Sequence, residues 1–291
     1  MTAEPHSVGE WLKIAITRLH AVSQSPQLDA EILLQAITGI HRSRAYARPE
    51  QALEREQIED LQPVLARRER GEPIAYIVGQ QEFWSMPLQV SAAVLIPRPE
   101  TELLVERALE LVPLNTPSRV LDLGTGSGAI ALAIAHARPH AHVVAADVSH
   151  DALTVAGANR RKFPARNLEL KHSDWFAAFD NAPEADRFDV IVSNPPYIAE
   201  DDPHLSLNVA TFEPKIALIA GPTGLEAIER IVRQSGAHLK PNGWLAMEHG
   251  WRQASTVAAL LVQHGFSHVR SRPDLAGHDR ITEGQAPGAL R

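Results

Sequence analysis

Arg119-Val120-Leu121-Asp122-Leu123-Gly124-Thr125-Gly126-Ser127-Gly128 runs directly into Ala129-Ile130-Ala131-Leu132-Ala133-Ile134-Ala135. The first five residues read as a short strand and the last seven as a helix, joined by a glycine turn. Short apolar runs of this kind suit strands buried on both faces of a parallel sheet. The glycines let the chain turn sharply and let a ligand approach without Cβ clashes. His142-Val143-Val144-Ala145-Ala146-Asp147 follows as the next strand and ends on an acid. Gly124 and Asp147 are 23 positions apart, near the spacing between a glycine turn and a carboxylate that accepts from both hydroxyls of a ribose. The turn is Gly-x-Gly-x-Gly rather than the Gly-x-Gly-x-x-Gly of dinucleotide sites. It suits a nucleoside ligand with no pyrophosphate to hold.

Further along, Phe188-Asp189-Val190-Ile191-Val192-Ser193 leads into Asn194-Pro195-Pro196-Tyr197. This is a second buried parallel strand, and the proline after Asn194 keeps its end extended. Pro195 and Pro196 fix φ and donate no N–H. The resulting bend offers acceptors and a flat apolar wall, but no nucleophile, metal ligand or strong base. It suits holding a planar amide or exocyclic amine, and it lies where open α/β sheets bind ligands. Taken alone, Asn-Pro-Pro is equally a simple turn.

A helix near 150–162 and a strand Leu168-Glu169-Leu170 precede Ser173-Asp174-Trp175-Phe176. In such sheets this loop lies over an adenine, so Asp174 can accept from the amino group and Trp175 can cover the ring. Phe176 is as readily a core anchor. A long polar loop, Glu200-Asp201-Asp202-Pro203-His204, follows Tyr197 and ends near Phe212-Glu213-Pro214. Loops of this length often act as lids. Glu213 is either a surface carboxylate or a group that orders this loop. A helix over 224–239, a strand Trp244 to Glu248 and a helix over 253–264 complete the alternation. Strands Ser267 to Arg270 and Asp279 to Thr282 suggest an antiparallel edge hairpin, and Glu283 to Gly288 reads as a frayed end. Glu248-His249 invites an acid–base reading, yet no Asp or Ser is placed to complete a triad, so a strand-end pair is preferred. The histidines lack metal-ligand spacing, and no metal is expected.

Three helices are expected before residue 71. Ser7 and Glu10 form a capping box ahead of Trp11, Ile14, Ala15 and Leu19. A second helix covers Asp29 to Thr38, with Gly39 as its stop. A third runs from about Glu50 to Arg70, where Pro63 implies a kink or an earlier break. Residues 74–98 read as a β connector, with a hairpin turning over Ser85-Met86-Pro87. Thr101 or Glu100 opens the next helix as a cap. The divisions are therefore a helical domain over 1–73, a β-hairpin connector over 74–98, and an α/β domain over 99–291.

The 291 residues carry a formal net charge of −7 and no cysteine. Disulfides, thiolate metal sites and cysteine nucleophiles are excluded. Residues 1–71 hold nine basic and ten acidic side chains, which is no grip for a phosphate backbone. No run approaches the roughly 20 apolar residues that span a bilayer. Nor does the N-terminus have the basic-then-apolar layout of a signal peptide. The expectation is a cytoplasmic monomer with no stable nucleic-acid or membrane partner.

The glycine turn, Asp147 and Asn194-Pro195-Pro196-Tyr197 together resemble class I S-adenosylmethionine-dependent methyltransferases that act on planar nitrogens. Gly71-Glu72-Pro73-Ile74, Phe83-Trp84, Ile96-Pro97-Arg98-Pro99-Glu100-Thr101-Glu102, Ser173 to Phe176, Phe212-Glu213-Pro214 and Glu248-His249-Gly250 narrow this. They resemble the bacterial peptide-chain release factor glutamine N5-methyltransferases (the PrmC/HemK family). Leu95 stands where some members carry Phe. The resemblance implies a Rossmann-like α/β sheet with a small N-terminal helical domain for substrate recognition. It implies that Gly124, Thr125, Gly126, Ser127, Gly128, Asp147, Asp174, Trp175 and Asn194 bind S-adenosylmethionine. Asn194, Pro195, Pro196 and Tyr197 would hold the glutamine of a Gly-Gly-Gln loop, with Asn194 and Pro195 as the catalytic acceptors. A DNA or RNA amine methyltransferase fits the same tetrapeptide; a non-catalytic S-adenosylmethionine-binding scaffold is a further reading, against which the intact acceptor constellation argues.

Overall fold

A computed structural model describes residues 5–180, 183–203 and 207–288. The chain divides into two compact units, Met1–Gln80 and Gln81–Arg291.

The first unit holds α1 (Val8–Leu19), α2 (Pro26–Thr38), α3 (Arg42–Ala47), α4 (Arg55–Glu69) and α5 (Ile74–Val78). Ser7 caps α1 by accepting from the Glu10 N–H, while the Glu10 carboxylate accepts from the N–H of His6, one residue before the cap, rather than from that of Ser7. α2 starts one turn before the expected residue, with Pro26 in the first turn, where its missing N–H costs nothing. Gly39 ends it at φ 70°. α4 passes through Pro63 without a break. Pro63 is exposed, while Leu61 and Leu65 on the other side are buried with Trp11, Leu19, Leu33 and Leu34. That core holds the helix across the one hydrogen bond the proline removes. Two expectations are corrected: α3 is an additional helix, and residues 74–78 form α5 rather than part of a β connector.

β1 (Gln80–Phe83) and β2 (Met86–Gln89) form the hairpin, with Trp84-Ser85 as its turn. Both turn residues have positive φ, 52° and 58°, as a two-residue hairpin turn of matching twist requires. The turn therefore falls earlier than Ser85-Met86-Pro87. The Trp84 N–H donates to Glu102 at 2.7 Å, a side-chain anchor for a position that disfavours L residues.

The remainder contains α6 (Glu102–Leu111), β3 (Arg119–Leu123), α7 (Ala129–Ala137), β4 (His142–Asp147), α8 (His150–Lys162), β5 (Leu168–His172), β6 (Phe188–Ser193), α9 (Leu207–Phe212), α10 (Glu226–His238), β7 (Leu239–Glu248), α11 (Ala254–Gln263), β8 (Ser267–Pro273) and β9 (Asp279–Gln285). One sheet has the order β5-β4-β3-β6-β7-β9-β8, parallel from β5 through β7 and antiparallel beyond. Side chains alternate across it. Val120, Val143 and Val190 face one core with Leu104 and Ile134, whereas Leu121, Val144 and Ile191 face another with Ile228, Ile231 and Leu261. Burial on both faces is what makes these strands continuously apolar in sequence. This is the expected Rossmann-like α/β sheet.

The C-terminal stretch departs from expectation. Glu283 to Gln285 belong to β9, which lies between β7 and β8, so this is no frayed end. Glu283 is fully buried and ion-paired to Arg107 and Arg270. A buried carboxylate needs such partners to be tolerated.

Candidate functional site

Parallel register brings the carboxyl ends of the central strands level. Leu123 pairs with Ser193, and Ser193 with Met247. Hence Gly124, Asn194 and Glu248, each the next residue along or the last of its strand, emerge side by side. Ser193 ties two of these ends by donating to the Leu123 carbonyl at 2.7 Å.

A cavity of about 540 Å³ opens here, a size usual for a small-molecule site. Gly124, Thr125, Gly126, Ser127, Asp147, Asp174, Trp175, Asn194 and Pro196 all lie on its wall. Gly128, Pro195 and Tyr197 do not line it. Gly128 has φ 82° and starts α7, and a Cβ there would meet Ala156 at 3.3 Å. It lets the turn pack on α8 instead of facing the cavity.

Asp147 accepts from the Gly126 N–H at 2.8 Å through Oδ2 and from the Ser149 N–H at 2.9 Å through Oδ1. Burial nonetheless raises its pKa. Each oxygen keeps a lone pair for a further donor, so a vicinal diol can bind both. Gly124 and Gly126 have φ 72° and 55°, and a Cβ at Gly124 would lie 3.8 Å from the Trp175 ring. The indole therefore forms a wall beside the turn. Trp175 itself has φ 51°, with its carbonyl held by the Ser173 hydroxyl at 2.7 Å. Asp174 is ion-paired to Arg230 at 2.8 Å. Phe176 is a core residue stacked on His238. The open arc of acceptors, the ring wall and the unobstructed glycines fit a nucleoside with a cationic sulfonium side chain.

Sequence reading missed the part Thr101 plays here and left that of Glu213 open. Thr101 stands at the N-cap of α6 as expected, but its side chain makes no capping bond: the hydroxyl donates to Glu248 Oε2 at 2.7 Å and accepts from Asn194 Nδ2 at 3.1 Å. Tyr197 donates to the other Glu248 oxygen at 3.3 Å, and burial with the nearby carboxylate raises the phenol pKa. Glu213 is buried rather than on the surface, accepting from the Ile96 N–H at 3.1 Å and pairing with Arg98. It ties the segment before Thr101 to that before Pro214. Leu95, Pro97, Pro214 and Ile216 line the same cavity. Of the loop after Tyr197, His204 lies outside the described residues. His249 is buried between Thr282 and the Gly250 carbonyl, and burial lowers its pKa. Among the described residues, no cluster could hold a metal ion.

Burial pushes the carboxyls of Asp122 and Glu248 up to about 7. Asp122 accepts from Thr125 at 2.6 Å, but its Oδ1 has no hydrogen-bond partner among the described residues. A raised folded-state pKa means the folded chain holds the proton more tightly than the unfolded one. The stability each carboxyl contributes is complete below the ordinary carboxylate range and is lost as pH rises to about 7. Thermal melts of wild type and Asp122→Asn between about pH 4 and pH 8 test this. The loss of Tm on raising pH should be smaller in the variant. Parallel curves contradict it.

Fold and site together define a class I, Rossmann-like methyltransferase. Residues 99–214 match the methyltransferase small domain family and residues 10–79 the PrmC N-terminal domain family. A solved methyltransferase from Pyrococcus furiosus shares the fold at TM-score 0.51 and 17% identity, covering 78% of this chain and 98% of that one. The release factor glutamine methyltransferase of Escherichia coli (strain K12) is 45% identical over 94% of this chain and 97% of its own. That of Shewanella oneidensis is 43% identical over 99% of both. The chain belongs to the release factor glutamine methyltransferase family, and it is an enzyme.

Proposed function

We propose that this enzyme methylates the side-chain amide nitrogen (N5) of the glutamine in the Gly-Gly-Gln loop of peptide-chain release factors, using S-adenosylmethionine. The observation that carries the reading is the placement of Asn194 beside the Asp147 cavity, in a chain that matches such enzymes from end to end.

Asp147 would hold the ribose hydroxyls. Gly124 to Gly128 would let the nucleoside close on the backbone, and Trp175 and Asp174 would flank the adenine. Bound there, S-adenosylmethionine supplies a methyl group already activated by its sulfonium. The residues of the chain act by positioning. An amide nitrogen is a poor nucleophile because its lone pair is delocalised. The Asn194 side-chain oxygen and the Pro195 carbonyl would accept its two N–H groups and aim that lone pair. They bind more strongly as the nitrogen gains positive charge, so the contact favours the transition state. The proton leaves after transfer and needs no strong base. Pro196 and Tyr197 would wall the glutamine, which must arrive on a slim exposed loop.

We assign residues 1–73 to recognition of the rest of the release factor, since their balanced charge suits a protein surface rather than a phosphate backbone. Among the described residues no helix is long and apolar enough to cross a membrane. A cytoplasmic monomer acting on soluble release factors fits this reading. Mass spectrometry of a release factor after incubation with enzyme and cofactor tests it. One added methyl on the Gly-Gly-Gln glutamine is expected, and replacing that glutamine should abolish it. Methylation of DNA or RNA with none on release factors overturns the reading.

A further inference from the structure

The Asn194 side chain is useful as an acceptor only if its oxygen, and not its NH2, faces the substrate. The two ends of a carboxamide have nearly the same shape, so packing alone cannot choose between them. A hydrogen-bond partner of defined polarity can.

Such a partner lies beside Asn194. Thr101 Oγ1 lies 3.1 Å from Asn194 Nδ2 and 2.7 Å from Glu248 Oε2. Thr101 and Glu248 are 3% and 2% exposed, so water does not relax the geometry. A hydroxyl has one proton. An ionised carboxylate only accepts, and Glu248 already takes a second hydroxyl, that of Tyr197, on Oε1. With Glu248 ionised, as it is above about pH 7, the Thr101 proton is committed to Glu248 and Thr101 can only accept from Asn194. This polarity puts Nδ2 towards Thr101 and leaves Oδ1 on the opposite side.

We propose that Thr101 and Glu248 are positioning residues that orient the Asn194 amide, presenting its oxygen to the substrate nitrogen. The inference rests on the reading of Asn194 as the substrate's acceptor. It draws together segments 93 and 147 residues apart from Thr101. It also gives Glu248 a role that needs no proton transfer to substrate. Thr101 was expected only to cap α6, but its side chain makes no capping bond there.

The test is steady-state and single-turnover kinetics of Thr101→Val, Thr101→Ala and Thr101→Ser on a release factor, with cofactor affinity measured by calorimetry. Val keeps the shape and removes the hydroxyl. Without its partner the Asn194 amide loses its fixed sense, and kcat should fall roughly tenfold or more. KM for the release factor and cofactor affinity should change much less than kcat, because Asp147 and the glycine turn are untouched and the Asn194 contact is worth most at the transition state. Thr101→Ser restores the hydroxyl and should recover most of kcat. Thr101→Ala removes the hydroxyl without the added methyl contacts, and should show the same split if Val does not fold. Wild-type kcat in either hydroxyl-free variant overturns the inference. So does a Ser variant as impaired as Val, which would mark a packing role. A wild-type enzyme that labels no release factor overturns the underlying reading, and this inference with it. Wild-type labelling with indifferent Thr101 variants overturns this inference alone.

Discussion

Asn194→Ala should lower kcat by about 10²–10³, as removal of one preorganised partner of developing charge does elsewhere. Cofactor affinity should change far less, because Asp147 and the glycine turn are untouched. The size of the effect follows from where the charge appears. In the ground state the substrate amide is neutral and its N–H groups are ordinary donors. As the new bond forms, the nitrogen becomes positive and each N–H becomes a much stronger donor. The acceptor is therefore worth more at the transition state than in the bound complex, and its loss falls on kcat rather than KM. Asn194→Asp should also be impaired. An aspartate cannot donate to Thr101, whose only proton already serves Glu248, so two carboxylates would compete for one hydroxyl. Near-normal single-turnover rates in Asn194→Ala at saturating substrate would remove this residue from the chemistry.

The parts of this molecule legible in its sequence are those written in local pattern. The strands β3, β4 and β6 are apolar runs because both faces are buried. The glycine turn and Asp147 show themselves by spacing, and Ser7 by its distance from Glu10. What escaped depends on partners far along the chain. Thr101 reads as a helix cap because caps are local, whereas its bonds go to Glu248 and Asn194. Glu283 reads as a solvated tail until Arg107, 176 residues away, is placed against it. Glu213 is likewise buried only because Ile96 and Arg98 reach it from more than 100 residues upstream. Glu283 and Glu213 are buried carboxylates, and local rules assign carboxylates to solvent. The short helix α5 was hidden for another reason. Ile74-Ala75-Tyr76-Ile77-Val78 is apolar and largely β-branched or aromatic, a composition shared with strands. Pro73 at its start and Gly79 at its end, φ 76°, delimit a single helical turn.

Asp147→Ala should weaken S-adenosylmethionine binding by about 1–3 kcal/mol, roughly 5- to 150-fold in Kd. Two losses combine. The carboxylate would no longer accept from the ribose hydroxyls, each a hydrogen bond to a charged group. It would also release the Gly126 and Ser149 N–H groups that it holds at 2.8 and 2.9 Å. Gly126, at φ 55° with open space where a Cβ would stand, has little else to fix it, so the turn itself should loosen. Asp147→Asn separates the two. An amide has one acceptor oxygen, and its NH2 would face one of the two backbone donors. The asparagine variant should therefore bind cofactor more weakly than wild type despite its matching shape. At saturating cofactor, kcat of either variant should stay within a few-fold of wild type, since neither touches Asn194. Calorimetry on folded protein, checked by thermal melting, measures the first effect and single-turnover methylation the second. Unchanged cofactor affinity in a folded Asp147→Ala variant would move the ribose site away from β4.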